Sequence, residues 1–356
     1  MAPSRRNRVS VVVFHAKKEA FLIFTLKMKH IFSDRPDESD HEVQRFFPPP
    51  LAIFERAADP CENMDFALHG ATSNIIAVTS RTRTIVYDAD SNSLSPGPDL
   101  CAIKLRPILL PVGDSAFFAM SRYPHGAGPH FESLDLAQGS SACWRVLLEL
   151  PGPRSYLMDH NSSEVTAYFV AGTRVWVSLH GMGTFSFDMA TRQWRKEGTW
   201  MLPVIGRAVF APAGGEGGGG PQLLFGFRDN AAHLCACDIE ASPPVILVTW
   251  EDNAYPKEWC DRIRCGMASG FGDIAYFGGG RFCTAIVMSG EYNNPIQFLC
   301  ITALEVTANL ELIKRRFRCY FFSINDALLL QEAITSSLCI IRMHTAVCLS
   351  QVIKVT

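Results

Sequence analysis

The sequence predicts an all-β propeller, with six blades of four antiparallel strands as the best fit. Three observations predict it. First, a short unit recurs about every 50 residues: an alternating apolar run ending in an acid, a few turn residues, then an aromatic or apolar residue. The acids of four copies are Asp88, Asp135, Asp188 and Asp238, at gaps of 47, 53 and 50. Repeats of this size, each one four-stranded sheet, are what propellers are built from. Second, the sequence between the acids breaks into short apolar runs bounded by Gly, Pro, Asn or Asp, as strands joined by tight turns require. Third, the chain has 356 residues. That exceeds a single core of ~100–200 residues unless the fold is radial and repetitive. Five or seven blades also fit the period.

The elements follow in order. Val9–His15 and Phe21–Met28 are β-branched and aromatic, with Lys17, Lys18 and Glu19 between them, so a β-hairpin opens the chain. Residues 34–50 are polar and acidic and end in Pro48-Pro49-Pro50, the composition of a surface connection. Residues 1–50 thus read as hairpin and linker, 51–322 as the propeller and 323–356 as an atypical tail. The first unit holds Asn74–Ser80 and Thr84–Asp88, turns at Asp90–Ser93 and exits at Pro96-Gly97-Pro98. The second has Ile108–Val112, Ala116–Met120, His130–Leu136 and Trp144–Leu150. The third has Val165–Val170, Arg174–Leu179, Gly183–Asp188 and Trp194–Trp200. The fourth has Ala208–Ala211, Gln222–Phe227, His233–Asp238 and Val245–Trp250. The fifth has Ile274–Phe277, Phe282–Met288, Phe298–Val306 and Leu310–Lys314. Arg318–Phe322 and the hairpin 9–28 are left at the two ends. Pairing them would complete a sixth blade and remove exposed sheet edges. The tail holds a short helical pattern, Ala327–Ile334, and a β-rich end, Ala346–Val355, with no place in the repeat.

Each repeated acid follows a strand and begins a turn, where Asp accepts backbone N–H bonds and holds a hairpin. Asp88, Asp135, Asp188 and Asp238, with Trp194, are therefore read as structural. In the clearest copy Phe187-Asp188, Thr191 and Trp194 resemble the kelch element. Residues 65–322 more closely resemble the grass family called domain of unknown function 1668. The resemblance rests on Thr84–Asp88 with Ser95-Pro96-Gly97-Pro98-Asp99-Leu100, and on Gly181–Asp188 with Trp194. It also rests on Trp250-Glu251-Asp252 with Pro256-Lys257-Glu258-Trp259, and on Gly278–Cys283. It implies a plant protein with a kelch-like or galactose-oxidase-like propeller, and it implies no activity.

Composition excludes several classes. There are 33 basic and 35 acidic side chains, a net charge of −2, so no positive field exists to hold a phosphate backbone. Nucleic-acid binding is not expected. The longest apolar stretches fall short of a ~20-residue membrane span, and a monomer is expected. Twelve cysteines occur without any C-x-x-C, which reads as reduced thiols, buried or half-buried. Val9–Phe14 is too short for a signal peptide. A cytoplasmic or nuclear protein is expected, and the basic N-terminus leaves organelle targeting open.

The sequence predicts no catalytic residue, metal or cofactor. Ten histidines occur without a ligand cluster, so the copper chemistry of one kelch-type oxidase is not expected. A propeller glycosidase would need carboxylates converging at the axis, whereas the repeated acids sit in turns. Gly214–Pro221 lacks the Lys-Ser/Thr of a phosphate loop and reads as a hairpin tip. The predicted partner-binding residues are Trp250, Glu251, Asp252, Tyr255, Trp259 and Arg262, because aromatics among charges are interface anchors. A second candidate is the Arg122–Pro129 insertion with Tyr123 and His125. The expected function is a protein-binding adaptor or scaffold without enzymatic activity. The alternative is a small-molecule or carbohydrate-binding propeller with hydrolase or oxidase activity.

Overall fold

The computed structural model describes residues 8–15, 20–27, 32, 50–55, 62–70, 74–124, 128–151, 164–214, 220–228, 233–250, 270–289, 297–321, 335–342 and 348–354. These residues are mostly strand and form a β-propeller. Strands β1 (Arg8–His15), β2 (Ala20–Lys27) and β3 (Ala52–Glu55) lie side by side in one sheet. The next sheet is β4 (Met64–Leu68), β5 (Ile75–Thr79), β6 (Thr84–Asp88) and β7 (Ser93–Pro96). It is followed by β8 (Pro107–Val112), β9 (Ala116–Ser121), β10 (Phe131–Asp135) and β11 (Arg145–Val146). Then come β12 (Val165–Ala171), β13 (Arg174–Leu179), β14 (Gly183–Asp188) and β15 (Gln193–Gly198). The fifth group is β16 (Ile205–Pro212), β17 (Gln222–Phe227), β18 (Leu234–Asp238) and β19 (Val245–Trp250). The sixth is β20 (Gly270–Tyr276), β21 (Arg281–Ser289), β22 (Gln297–Val306) and β23 (Leu312–Phe321). Strands β24 (Thr335–Arg342) and β25 (Cys348–Lys354) pair with β1, so that first sheet runs β25-β24-β1-β2-β3.

Neighbouring strands within each group pair antiparallel, and from the second group to the sixth they follow one another in chain order as a meander. The first unit, read from sequence as two strands, is a full four: Met64–Leu68 precedes Ile75, and Ser93–Pro96 pairs with β6. Arg318–Phe321 does not pair with the N-terminal hairpin. It extends β23, which follows β22 from Phe298↔Phe321 to Val306↔Leu312. The strand on the free side of β1 is β24, with Val9 opposite Arg342. Most of the tail's β-rich end is therefore β25, paired with β24.

The innermost strands follow one another about an axis: β4 against β8, β8 against β12, β16 against β20, and β25 against both β20 and β4. Strands β12 and β16 come close enough to pair in parallel, Tyr168 opposite Arg207. Strands near the axis have neighbours on both faces, so β4 and β5 are buried throughout, whereas all four residues of β7 are exposed. Apolar side chains fill the wedges between groups. Phe21, Phe54, Phe66, Tyr87 and Trp144 form one wedge, and Phe118, Phe131, Tyr168 and Phe187 another. Indole N–H groups tie neighbouring groups together: Trp144 Nε1 donates to Thr84 Oγ1 at 3.0 Å, and Trp194 Nε1 to Leu148 O at 3.0 Å. Gly183 has φ +103°, and a Cβ there would meet Gly198 O at 2.2 Å, so no side chain fits.

Candidate functional site

The repeated acids sit at turns. Asp188 Oδ1 accepts from the N–H groups of Ala190 and Thr191 at 2.9 and 3.0 Å. Asp88 accepts from Asp90 N at 2.8 Å, Asp135 from Ala137 N at 3.0 Å, and Asp238 from Glu240 N at 2.9 Å. These bonds favour the ionised form, and they hold the carboxyls of Asp188 and Asp135 below the usual carboxylate range. The acids stay at the hairpin ends, away from any shared centre.

A different feature stands out in the crossover from β7 to β8. The local sequence Ile103-Lys104-Leu105 would ordinarily expose the lysine and bury the aliphatics. The structure does the reverse. Lys104 is 0% exposed, while Ile103 and Leu105 are 53% and 40% exposed. The Lys104 ammonium donates to Ala102 O at 2.9 Å, to Pro129 O at 2.8 Å and to the Glu132 carboxylate on β10. Glu132, also 0% exposed, accepts from the backbone N–H groups of Cys101 at 2.7 Å and Ala102 at 3.2 Å. Both charges are thus paired and hydrogen-bonded, the condition under which burying them is tolerated. Burial pulls the Lys104 pKa down, and the hydrogen bond and charge of Glu132 oppose it. With the lysine drawn inward, its two neighbours are turned into water. Strand β11 pairs with β10 beside this loop, Val146 opposite Glu132, and leaves Val146 and Leu148 exposed as well.

Tyr123 adjoins the same loop. Arg122 N donates to Leu105 O at 3.0 Å, and the Arg106 guanidinium lies 5.6 Å from the Tyr123 ring. The Tyr123 hydroxyl donates to Glu164 Oε1 at 3.3 Å, and Arg122 Nε reaches the same oxygen at 3.0 Å. Trp250 ends β19, half-buried, and packs against the apolar cluster of β16–β22. Glu251, Asp252, Tyr255, Trp259, Arg262 and His125 lie outside the described residues. Ile103, Lys104 and Leu105 escaped sequence reasoning. The available signal was Glu132, two positions before Leu134 and so on the same strand face, where a buried carboxylate calls for a cation.

The axis carries a second polar cluster. Asp65 on β4 accepts from Leu109 N at 2.6 Å and from Phe66 N at 2.9 Å. Arg207 on β16 donates to Leu109 O at 2.9 Å, stands 3.8 Å from Asp65 Oδ2 and lies 5.5 Å from the Tyr168 ring centre. A cleft of about 250 Å³ opens there, lined by Val112, Gly113, Phe169, Arg207 and Phe210 among others. Asp273 occupies the corresponding place on β20 and accepts from its neighbour Ile274 N at 3.0 Å. Among the described residues no group of three His, Cys, Asp or Glu could hold a metal ion.

Burial raises the Asp65 pKa from 3.8 to about 7, against the pull of Arg207 and the two N–H groups. An acid that holds its proton more tightly when folded adds stability that is complete below its unfolded value, 3.8 here, and is lost as the pH rises through about 7. Stability should therefore fall between about pH 4 and 7 with a slope approaching ~1.4 kcal/mol per pH unit, and level off above that. Asp65→Asn should flatten that slope in denaturant unfolding. Parallel profiles for the two proteins would contradict the assignment.

A family model described as a protein of unknown function (DUF1668) matches residues 6–320, ending before β24. No curated protein matches. Among solved structures, the chain is similar to the β-propeller domain of Myceliophteria thermophila Cps50 (Swd1). The identity is 11% and the TM-score 0.41, covering 98% of this chain and 96% of that one. It is also similar to Chaetomium thermophilum Raptor, at 10% identity and TM-score 0.42, covering 99% of this chain and 29% of that one. Among the described residues no helix is long and apolar enough to cross a membrane.

Proposed function

Given that the chain belongs to the DUF1668 family of proteins of unknown function, we propose that it is a non-enzymatic adaptor or scaffold. In this reading it is a six-bladed, kelch-like propeller that binds another protein at one rim. One observation carries the reading: the crossover loop buries Lys104 and holds Ile103 and Leu105 in water. Spending a buried ion pair to expose two aliphatic side chains disfavours the free protein unless a partner covers them. Val146, Leu148, Arg106 and Tyr123 extend the patch, and aliphatic, tyrosine and arginine side chains together are the composition of an interface centre. The partner then presents an apolar surface of its own. The segment from Glu251 to Arg262 is a further element we assign to partner contact, on its aromatic and charged composition.

The test is affinity purification of the tagged protein from its own cells, read by mass spectrometry. Ile103→Glu/Leu105→Glu should melt like wild type and recover specific partners ~10-fold less or worse, the scale of a lost hot spot. Val245→Glu/Leu247→Glu, on exposed positions of β19, is the control and should recover them normally. Equal recovery by both variants would remove this reading. The second reading, a small-molecule-binding propeller, is favoured by the axial cleft with Arg207 at its wall. Thermal stabilisation by a small carboxylate or sugar, abolished by narrowing the cleft with Val112→Phe in a variant that still unfolds cooperatively, would favour it instead.

A further inference from the structure

We propose that Cys101 and Cys143 form a reversible disulfide that locks the crossover loop onto the outer edge of its blade. Both cysteines are exposed and reduced. They are 42 positions apart in sequence, yet the fold brings them together. Cys101 Sγ donates to the carbonyl of Trp144, the residue directly after Cys143, at 3.3 Å. The Cys143 thiol is near enough to contribute to raising the Cys101 pKa, behind burial and the Glu132 carboxylate. Two positions hold still around this pair. The Cys101 backbone N–H is bonded to Glu132, and the Trp144 indole is anchored on Thr84. A bridge there would close the loop against the start of β11, and that loop carries Ile103 and Leu105. Cys235 and Cys237 are the contrasting pair: their sulfurs lie 3.6 Å apart, but both are fully buried and on one strand. An oxidant in water does not reach them in the folded protein.

The chemistry needs a low-molecular-weight disulfide as oxidant, such as oxidised glutathione. Burial and the Glu132 carboxylate push the Cys101 thiol up, which disfavours its thiolate, so the first attack is assigned to the Cys143 sulfur. An S–S bond forms to one glutathione, and the other leaves as a thiolate that takes up a proton. Cys101 then loses its proton and attacks the Cys143 sulfur, expelling the second glutathione. Two protein thiols are oxidised and one glutathione disulfide is reduced to two thiols. Excess reduced thiol reverses both steps.

The proposal concerns the cysteine pair alone and stands whether or not the patch binds a protein. The full chain, folded, is incubated with a mixture of reduced and oxidised glutathione. It is then quenched with acid, alkylated and digested with trypsin without reduction. The expected product is peptide 84–104 linked to peptide 123–145, lost on treatment with dithiothreitol. Cys101→Ser and Cys143→Ser should each give a glutathione adduct on the remaining cysteine and no linked peptide. Glutathione adducts on both cysteines of the wild type, with no link between them, would overturn the proposal. A link between either one and a different cysteine would do the same.

Discussion

Lys104→Met is expected to destabilise the protein by ~3–5 kcal/mol, because it leaves the Glu132 carboxylate buried without its counter-charge. The lysine shape and most of its apolar stem are kept by methionine, so the loss reports the missing ammonium, its charge and its bonds to Ala102 O and Pro129 O, rather than a cavity. Glu132 would retain the two N–H bonds from Cys101 and Ala102. Those N–H groups stabilise the anion but do not neutralise it. Lys104→Met/Glu132→Gln should recover the part of the loss that comes from the unpaired carboxylate, since a carboxamide oxygen still accepts from both N–H groups and carries no charge, while the bonds to Ala102 O and Pro129 O stay lost. Guanidinium unfolding of the four proteins in the cycle measures this directly. A double variant as unstable as Lys104→Met would mean that the loop is held by something other than the pair. The same cycle bears on function: Lys104→Met should also loosen residues 99–106, visible as faster amide exchange there.

Phe131→Ala comes second, with an expected loss of ~3–5 kcal/mol from transfer and cavity terms together. Phe131 is fully buried at the junction of two blades. Its ring lies 5.5 Å from Phe118, 5.0 Å from Phe187 and 5.2 Å from Trp194, so truncation empties the centre of that wedge. Trp194→Ala should cost less, although tryptophan is the larger residue and the sequence repeat marks it. Trp194 is only half-buried, packed at the edge of the cluster, with its N–H on Leu148 O. The two rings touch, so their double variant should depart from additivity by ~0.5–1.5 kcal/mol. A larger loss from Trp194→Ala than from Phe131→Ala would reverse the roles given to them.

The architecture was legible in the sequence because a propeller is repetition. Each blade restates the same local rules: period-two alternation, a turn acid, Gly or Pro at the breaks. Asp188 shows it plainly, since an Asx turn uses groups two and three residues away and nothing more distant. The meander from β12 to β15 was readable nearly residue by residue for the same reason. Closing the first sheet was not readable in this way. Strand β1 has one neighbour next to it in sequence, β2, and another, β24, more than 300 residues on. Either Arg318–Phe322 or a later segment satisfied the local pattern. Only the tertiary structure distinguishes them, because β22 already takes up β23 along its length.

The candidate site divides the same way. Tyr123 was singled out from sequence as an aromatic in an insertion, a purely compositional signal, and the structure sets it against Arg106 beside the exposed loop. The loop itself was invisible. Ile103-Lys104-Leu105 obeys the ordinary pattern of an aliphatic pair around a solvated lysine. What inverts it is Glu132, on another strand, which makes the interior the better place for an ammonium group. By itself the sequence determined what depends on neighbours a few residues apart: the strands, the turns and the repeat. The tertiary structure alone decided which strands meet across the chain ends and which side of the loop faces water. Those outcomes depend on distant groups, and the energy of burying a charge depends on whether such a group is there to meet it.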